Sequence, residues 1–184
     1  MEGKKCALIV NVASQWHFAR VNYAQLVELY DRYSDCGLQI IGFPTGDFRN
    51  QEEDTNEKIK KYTRENFKVR FPLMEKCNVN GPEAHEVFKC LKSNTKELQS
   101  PYNPDKVLNV QWNFCKWVVD DKGKVQKYIR PSGKLYEAYE LIEHLLEMNK
   151  PTQKKQRRLT KQPLLSEVTQ TRISEEKKNK VTLQ

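Results

Sequence analysis

An α/β fold, one mixed sheet flanked by helices, is predicted by three observations. Residues 6–13 (CALIVNVA) form an apolar run without alternation, as in a strand covered on both faces. A helical-period segment and a second apolar run, residues 38–43 (LQIIGF), follow it. Right-handed crossover makes such a βαβ unit a parallel pair. Late in the chain, two strand-like runs flank Asp120-Asp121-Lys122-Gly123, a hairpin turn signal.

The elements follow in order. Tyr23, Leu26, Val27, Tyr30 and Tyr33 recur at helical spacing over residues 23–36, and Gly37 stands where a helix stops. Pro44 ends the second strand. Thr55 is placed to cap a helix running to about Phe67, with Lys58 where a capping box would have Glu. Phe71-Pro72-Leu73 reads as a short extended piece. Asn78 to Gly81 is a turn, and Pro82 is expected at the first position of a helix whose face carries Ala84, Val87, Phe88 and Leu91. Residues 94–108 read as a loop with two prolines. Strands are expected over Trp112 to Val119 and Val125 to Tyr128. A last helix runs from Leu135 to about Met148, with Leu135, Ala138, Tyr139, Ile142, Leu145 and Leu146 on one face. The order β-α-β-α-α-β-β-α is a thioredoxin-like layout.

Composition bounds the function. The chain has 184 residues, 38% hydrophobic and 30% charged, with a mean hydropathy of −0.83. No apolar run is long enough to span a bilayer, and Asn11 interrupts the one that could pass for a signal peptide. The five cysteines (Cys6, Cys36, Cys77, Cys90, Cys115) are widely spaced, with no CxxC and no metal-ligand spacing. They are expected to be reduced thiols in a cytoplasmic protein. From Lys150 onward ten basic residues oppose three acidic ones, so the tail carries +7 and the body +1. The tail has no aromatic residue and few large apolar ones, so residues 1–149 are expected to be the folded domain and 150–184 a disordered basic tail. Lys154-Lys155-Gln156-Arg157-Arg158 could direct the chain to the nucleus or bind an acidic partner, against the plainer reading of a solvated tail.

The stretch after the first strand is the most informative for chemistry: Asn11-Val12-Ala13-Ser14-Gln15-Trp16-His17-Phe18. A buried strand enters a polar turn and then a helix, a common place for a reactive residue. Trp16 holds that place, and an indole is neither a nucleophile nor a proton acceptor.

With Gly42-Phe43-Pro44, Gln51-Glu52, Thr55-Asn56-Glu57-Lys58-Ile59, Val79-Asn80-Gly81-Pro82, Ala84-His85 and Trp112-Asn113-Phe114 followed by Lys116, the segment resembles the glutathione peroxidase family, over residues 3 to about 148. The resemblance implies reduction of hydroperoxides by a thiol reductant, glutathione or thioredoxin, in the response to oxidative stress, with no bound cofactor or metal. It implies a tetrad of cysteine or selenocysteine, glutamine, tryptophan and asparagine. The sulfur or selenium anion attacks the O–O bond and the other three stabilise the moving charge.

Trp112 and Asn113 match that tetrad, and Trp16 stands at the reactive position. Against the family's Phe-Pro-Cys-Asn-Gln-Phe the chain reads Phe43-Pro44-Thr45-Gly46-Asp47-Phe48, so Asp47 is expected in place of the glutamine. A carboxylate there would donate nothing to an anion and would repel it. His17 replaces the family's glycine and reads as a surface residue. The resolving cysteine of thioredoxin-linked members aligns with Tyr62. Cys115, two residues beyond Asn113 in the predicted strand, is expected on the same face roughly 7 Å away. Only Met1 to Lys5 precede the first strand, where the family carries a β-hairpin, so either that hairpin is missing or the start codon is misassigned. Three readings follow: a family member with impaired catalysis, a selenocysteine codon read as tryptophan at position 16, or a non-catalytic binding or regulatory protein that uses the scaffold and the basic tail.

Overall fold

The computed structural model describes residues 3–148. The chain divides into two units, Met1–Leu146 and Glu147–Gln184, and the fold below is that of the first. The tail expected over residues 150–184 lies outside the described residues.

Seven apolar-rich residues, all buried, form β1 (Cys6–Val12). β1 pairs parallel with β2 (Leu38–Pro44), Cys6 facing Leu38 and Val12 facing Pro44. On its other side it pairs antiparallel with β3 (Lys116–Asp120), which pairs antiparallel with β4 (Val125–Ile129). The sheet order is β2-β1-β3-β4. An interior strand is covered on both faces, which is why β1 reads as a continuous apolar run while edge strand β2 alternates over its first half. The result is the predicted thioredoxin-like α/β fold, with its mixed sheet and flanking helices.

Helix α1 (Ala19–Tyr33) begins four residues earlier than the periodicity suggests. Its buried stripe is Ala19, Tyr23, Leu26, Leu29 and Tyr33, so Leu29 rather than Val27 or Tyr30 faces the core. A short 3₁₀ turn, Ser34–Cys36, follows, and Gly37 at φ 110° ends it in a conformation open to glycine. Helix α2 (Asn56–Phe67) starts as read: the Thr55 side chain accepts from the Lys58 N–H. The Phe71-Pro72-Leu73 piece lies beside β2, where Gly42 donates to the Pro72 carbonyl and accepts from the Met74 N–H. A Cβ on Gly42 would come within 2.6 Å of Leu73 Cδ2, so any larger residue there would push the Leu73 side chain aside.

Two expectations are corrected here. Helix α3 is Glu86–Ser93, and Pro82 does not open it. Residues 81–84 close a turn through the Ala84 N–H to the Gly81 carbonyl, and His85 Nδ1 caps the helix by accepting from the Val87 N–H. The strand expected from Trp112 begins only at Lys116, because Phe114 takes φ 61° and breaks the extended run. The late hairpin forms as read, with the Asp120 carboxylate accepting from the Lys122 and Lys124 N–H groups. The last helical stretch is a 3₁₀ turn, Leu135–Ala138, leading into α4 (Tyr139–Leu145). On one side of the sheet Phe88 and Leu91 of α3 pack with Ala7, Ile9, Cys115, Trp117 and Val119.

Candidate functional site

The site grows from the C-terminal end of β1. Asn11 is fully buried, and its side-chain N–H donates to the Trp112 carbonyl at 2.9 Å, while its backbone carbonyl accepts from the Phe114 N–H at 2.7 Å. Those two bonds hold the loop before β3 against the end of β1. Beyond Ala13 the chain is zipped to the segment before α2. Ser14 donates from its backbone to Glu52 Oε2 at 3.1 Å and from its hydroxyl to Glu52 Oε1. Gln15 donates from its backbone to the Gln51 carbonyl at 3.0 Å and from its side chain to Glu53 Oε1 at 2.7 Å. Glu52 is buried, and that burial pushes its carboxyl above the usual carboxylate range, against the opposing hydrogen bonds from Ser14 and Glu53.

Trp16 follows at the turn into α1. Its half-buried indole stacks on Phe114, with ring centroids 5.6 Å apart and planes at 25°, and meets Phe18 edge-on at 5.3 Å. Phe114 in turn meets buried Tyr23 edge-on at 5.3 Å. His17 is exposed and touches Phe18.

Next to this aromatic column, the buried Asn113 donates its side-chain N–H to Gln51 Oε1 at 2.9 Å. The partner of Asn113 is therefore Gln51, not Asp47. Asp47 Oδ2 instead accepts from the Val79 and Asn80 N–H groups at 2.9 and 3.0 Å and ties down the loop before α3. The six-residue match to Phe-Pro-Cys-Asn-Gln-Phe pointed to position 47. The glutamine that reaches the site lies four residues further on, after a turn closed by the Asn50 N–H to the Gly46 carbonyl. Gln51-Glu52 was legible as a motif, and no local pattern tells which of two nearby positions a turn carries to the site.

Trp112 is half-buried against Phe48 at 5.4 Å, and the Arg49 guanidinium stands over its ring at 5.6 Å. Trp16 meets the loop before β3 through Phe114, Gln51 meets it through Asn113, and Trp112 adjoins Asn113 along the chain.

Cys115 does not share a face with Asn113. The left-handed residue between them turns the thiol into the core, where the Tyr128 hydroxyl donates to Sγ at 3.3 Å. Burial raises the thiols of Cys6 and Cys77 to about 11, Asp47 adding to the effect at Cys77, and burial also raises that of Cys115. None of the five cysteines is in a disulfide. Tyr62 on α2 meets Phe67 edge-on. Lys116 is buried, donates to the Phe114 carbonyl at 2.7 Å and to Asn22 Oδ1 at 3.2 Å, and burial lowers its ammonium to about 8. It holds the positive-φ turn at Phe114 against the first turns of α1. Among the described residues no three His, Cys, Asp or Glu side chains gather as a metal site, and no helix is long and apolar enough to cross a membrane.

A parallel βαβ unit with an antiparallel hairpin, and a polar site at the end of β1, define a thioredoxin-like protein. Comparison with known proteins narrows the class. The family model described as glutathione peroxidase matches residues 1–92. The chain is 41% identical over 128 residues to the "Probable phospholipid hydroperoxide glutathione peroxidase" of Mesembryanthemum crystallinum, covering 70% of this chain and 71% of that one. It is 44% identical over 125 residues to the "Glutathione peroxidase-like peroxiredoxin GPX5" of Chlamydomonas reinhardtii, covering 68% and 72%. The crystal structure of T. cruzi GPX1 superposes with a TM-score of 0.60 at 25% identity, covering 79% and 84%. This chain belongs to the glutathione peroxidase family.

Proposed function

We propose that this chain keeps the glutathione peroxidase scaffold and site but has lost hydroperoxide reduction through position 16, the retained groups serving binding or regulation. One observation carries this reading: an indole, stacked on Phe114 beside Asn113, stands where the covalent step needs sulfur or selenium. The family's reaction forms a bond from that anion to a peroxide oxygen, and an indole supplies no such atom. The raised thiols of buried Cys6 and Cys115 and half-buried Cys77 are poor substitutes, since the thiolate is the nucleophile. In this reading Gln51, not Asp47, takes the glutamine's role beside Trp112 and Asn113, so a single group of the tetrad is replaced.

A peroxide-consumption assay with glutathione or thioredoxin as reductant tests it. The purified chain should show no thiol-dependent turnover of hydrogen peroxide or a phospholipid hydroperoxide, and Trp16→Cys should gain measurable turnover. Repeated turnover by the native chain overturns the proposal. Mass spectrometry of the natural protein addresses the selenocysteine reading, because selenium at residue 16 would make the chain an active member of the oxidative-stress response.

The charge of residues 150–184 favours a second reading, in which that segment binds an acidic partner and the folded unit is its carrier. Binding to RNA or anionic lipid that vanishes on truncation after Met148 supports it, and unchanged binding rejects it. The wide spacing of the cysteines, with no CxxC, favours a cytoplasmic location, with entry to the nucleus through the basic segment.

A further inference from the structure

Away from Trp16, α1 and the end of α2 flank an open cleft of about 580 Å³, lined by Val27, Asp31, Arg64, Lys68, Val69 and Arg70. Val27 lies roughly 12 Å along α1 from Ala19, its first residue, so the cleft is separate from the site at the end of β1. The backbone brings three cations to this one place. Arg64 is in the last turn of α2, and Lys68, which caps it, takes φ 60°. That left-handed residue turns the chain back, the Lys68 and Val69 N–H groups both reaching the Thr63 carbonyl. Arg70 then returns to α1 and pairs with Asp31. Cations near a helix C-terminus complement its dipole, which accounts for Arg64 and Lys68 but not for Arg70. Nor does it account for the apolar wall of half-buried Val27 and buried Val69.

Most of this charge is uncommitted. Asp31 is the one carboxylate in the lining, against three cations, so the cleft carries +2. Among the described residues Arg64 has no carboxylate partner, and Lys68 gives one N–H to the Glu65 carbonyl at 2.9 Å. Arg64, Lys68 and Arg70 are all exposed, so a ligand reaches them from solvent. We propose that this cleft binds the phosphoryl group of a small phosphomonoester, whose organic part lies on Val27 and Val69. A phosphomonoester carries close to two negative charges at neutral pH, matching the charge of the lining. Its oxygens accept from several directions, as two guanidinium forks and one ammonium offer. A carboxylate has a single charge and lies in one plane, so it would leave half of the cleft's charge uncompensated. The volume suits a small organic ligand and is far larger than a bare phosphate needs.

Amide chemical shifts of the full chain, titrated with AMP, inorganic phosphate and adenosine at physiological salt, test the proposal. AMP should move the signals of residues 64 and 68–70 to saturation, phosphate should move the same signals with weaker affinity, and adenosine should move none. Arg64→Gln should weaken AMP binding by about tenfold or more, the loss of one charge-assisted pair. Its melting temperature should match that of the native chain, since the side chain is exposed. Asp31→Asn should tighten AMP binding by freeing the Arg70 fork, a gain that a purely structural clip would not give. The proposal is overturned if AMP moves none of these signals, or only those of residues 150–184, whose basic side chains also attract phosphate. It is equally overturned if adenosine or phosphate binds as tightly as AMP, if Arg64→Gln binds AMP as well as the native chain, or if Asp31→Asn weakens binding. A lower melting temperature for Arg64→Gln would also overturn it, by making that side chain a structural prop. The readout is independent of any turnover at position 16.

Discussion

Two carboxylates five residues apart, Asp47 and Glu52, do the same chemical job in different surroundings. Each accepts two backbone N–H groups: Asp47 those of Val79 and Asn80, Glu52 those of Ser14 and Glu53. Asp47 is exposed and keeps its water, so it clamps the loop before α3 at little desolvation cost. Glu52 is buried, takes the Ser14 hydroxyl as well, and is pushed toward its neutral form by that burial. The difference teaches where this molecule depends on a side chain. The exposed clamp is replaceable, whereas the buried one holds the turn bearing Trp16 against the segment bearing Gln51.

The comparison is open to breakage, first at its strongest point. Glu52→Ala leaves the Ser14 amide and hydroxyl and the Glu53 amide short of an acceptor, and should cost about 3 kcal/mol in urea unfolding. A loss below that of Asp47→Ala would end the distinction between the clamps.

The second measurement is the pH profile of stability. A carboxyl raised by folding holds its proton more tightly in the native state. Its contribution is therefore present below the unfolded carboxyl range and is lost as pH rises through the native value. Stability of the native chain should fall over that window relative to Glu52→Gln, which cannot titrate. Parallel profiles for the two would mean that Glu52 is solvated in the folded chain.

Asp47→Ala should cost about 1 kcal/mol, because water replaces the lost acceptor at an exposed loop. Asp47→Asn, which keeps an acceptor oxygen, should fall within about 0.5 kcal/mol of native. Neither should disturb the Asn113–Gln51 pair, which amide chemical shifts at residues 51 and 113 would report. A shift there on changing Asp47 would restore it to the site.

Much of the fold was legible because it is written in local terms. The unbroken apolar run of β1 announces an interior strand, the Thr55 cap and the Asp120 hairpin are single-residue signals, and each forms where it was read. The site was legible only in part. Motifs pointed to Trp16, Asp47, Trp112 and Asn113, whereas the structure pairs Asn113 with Gln51, ties Asp47 to Val79 and Asn80, and turns Cys115 into the core. Both departures have one cause. A left-handed residue with a side chain, Arg49 and Asn50 in one place and Phe114 in the other, reverses the chain where the sequence shows no glycine. Such a conformation is unfavourable locally and persists because tertiary bonds impose it: Asn11 holding Trp112 and Phe114, Lys116 holding the Phe114 carbonyl, and the zipper from Ser14 and Gln15 to Gln51 and Glu52.

The sequence by itself determined β1 and β2, the capped start of α2, the late hairpin turn, the parallel βαβ unit and the indole at position 16, since periodicity, capping and residue chemistry act within a few residues. Only the tertiary structure decided which glutamine reaches Asn113, where Asp47 and Cys115 point, and that Arg49 lies over Trp112. Those outcomes depend on backbone reversals that hydrogen bonds between distant segments stabilise, and no short window of sequence contains both ends of such a bond.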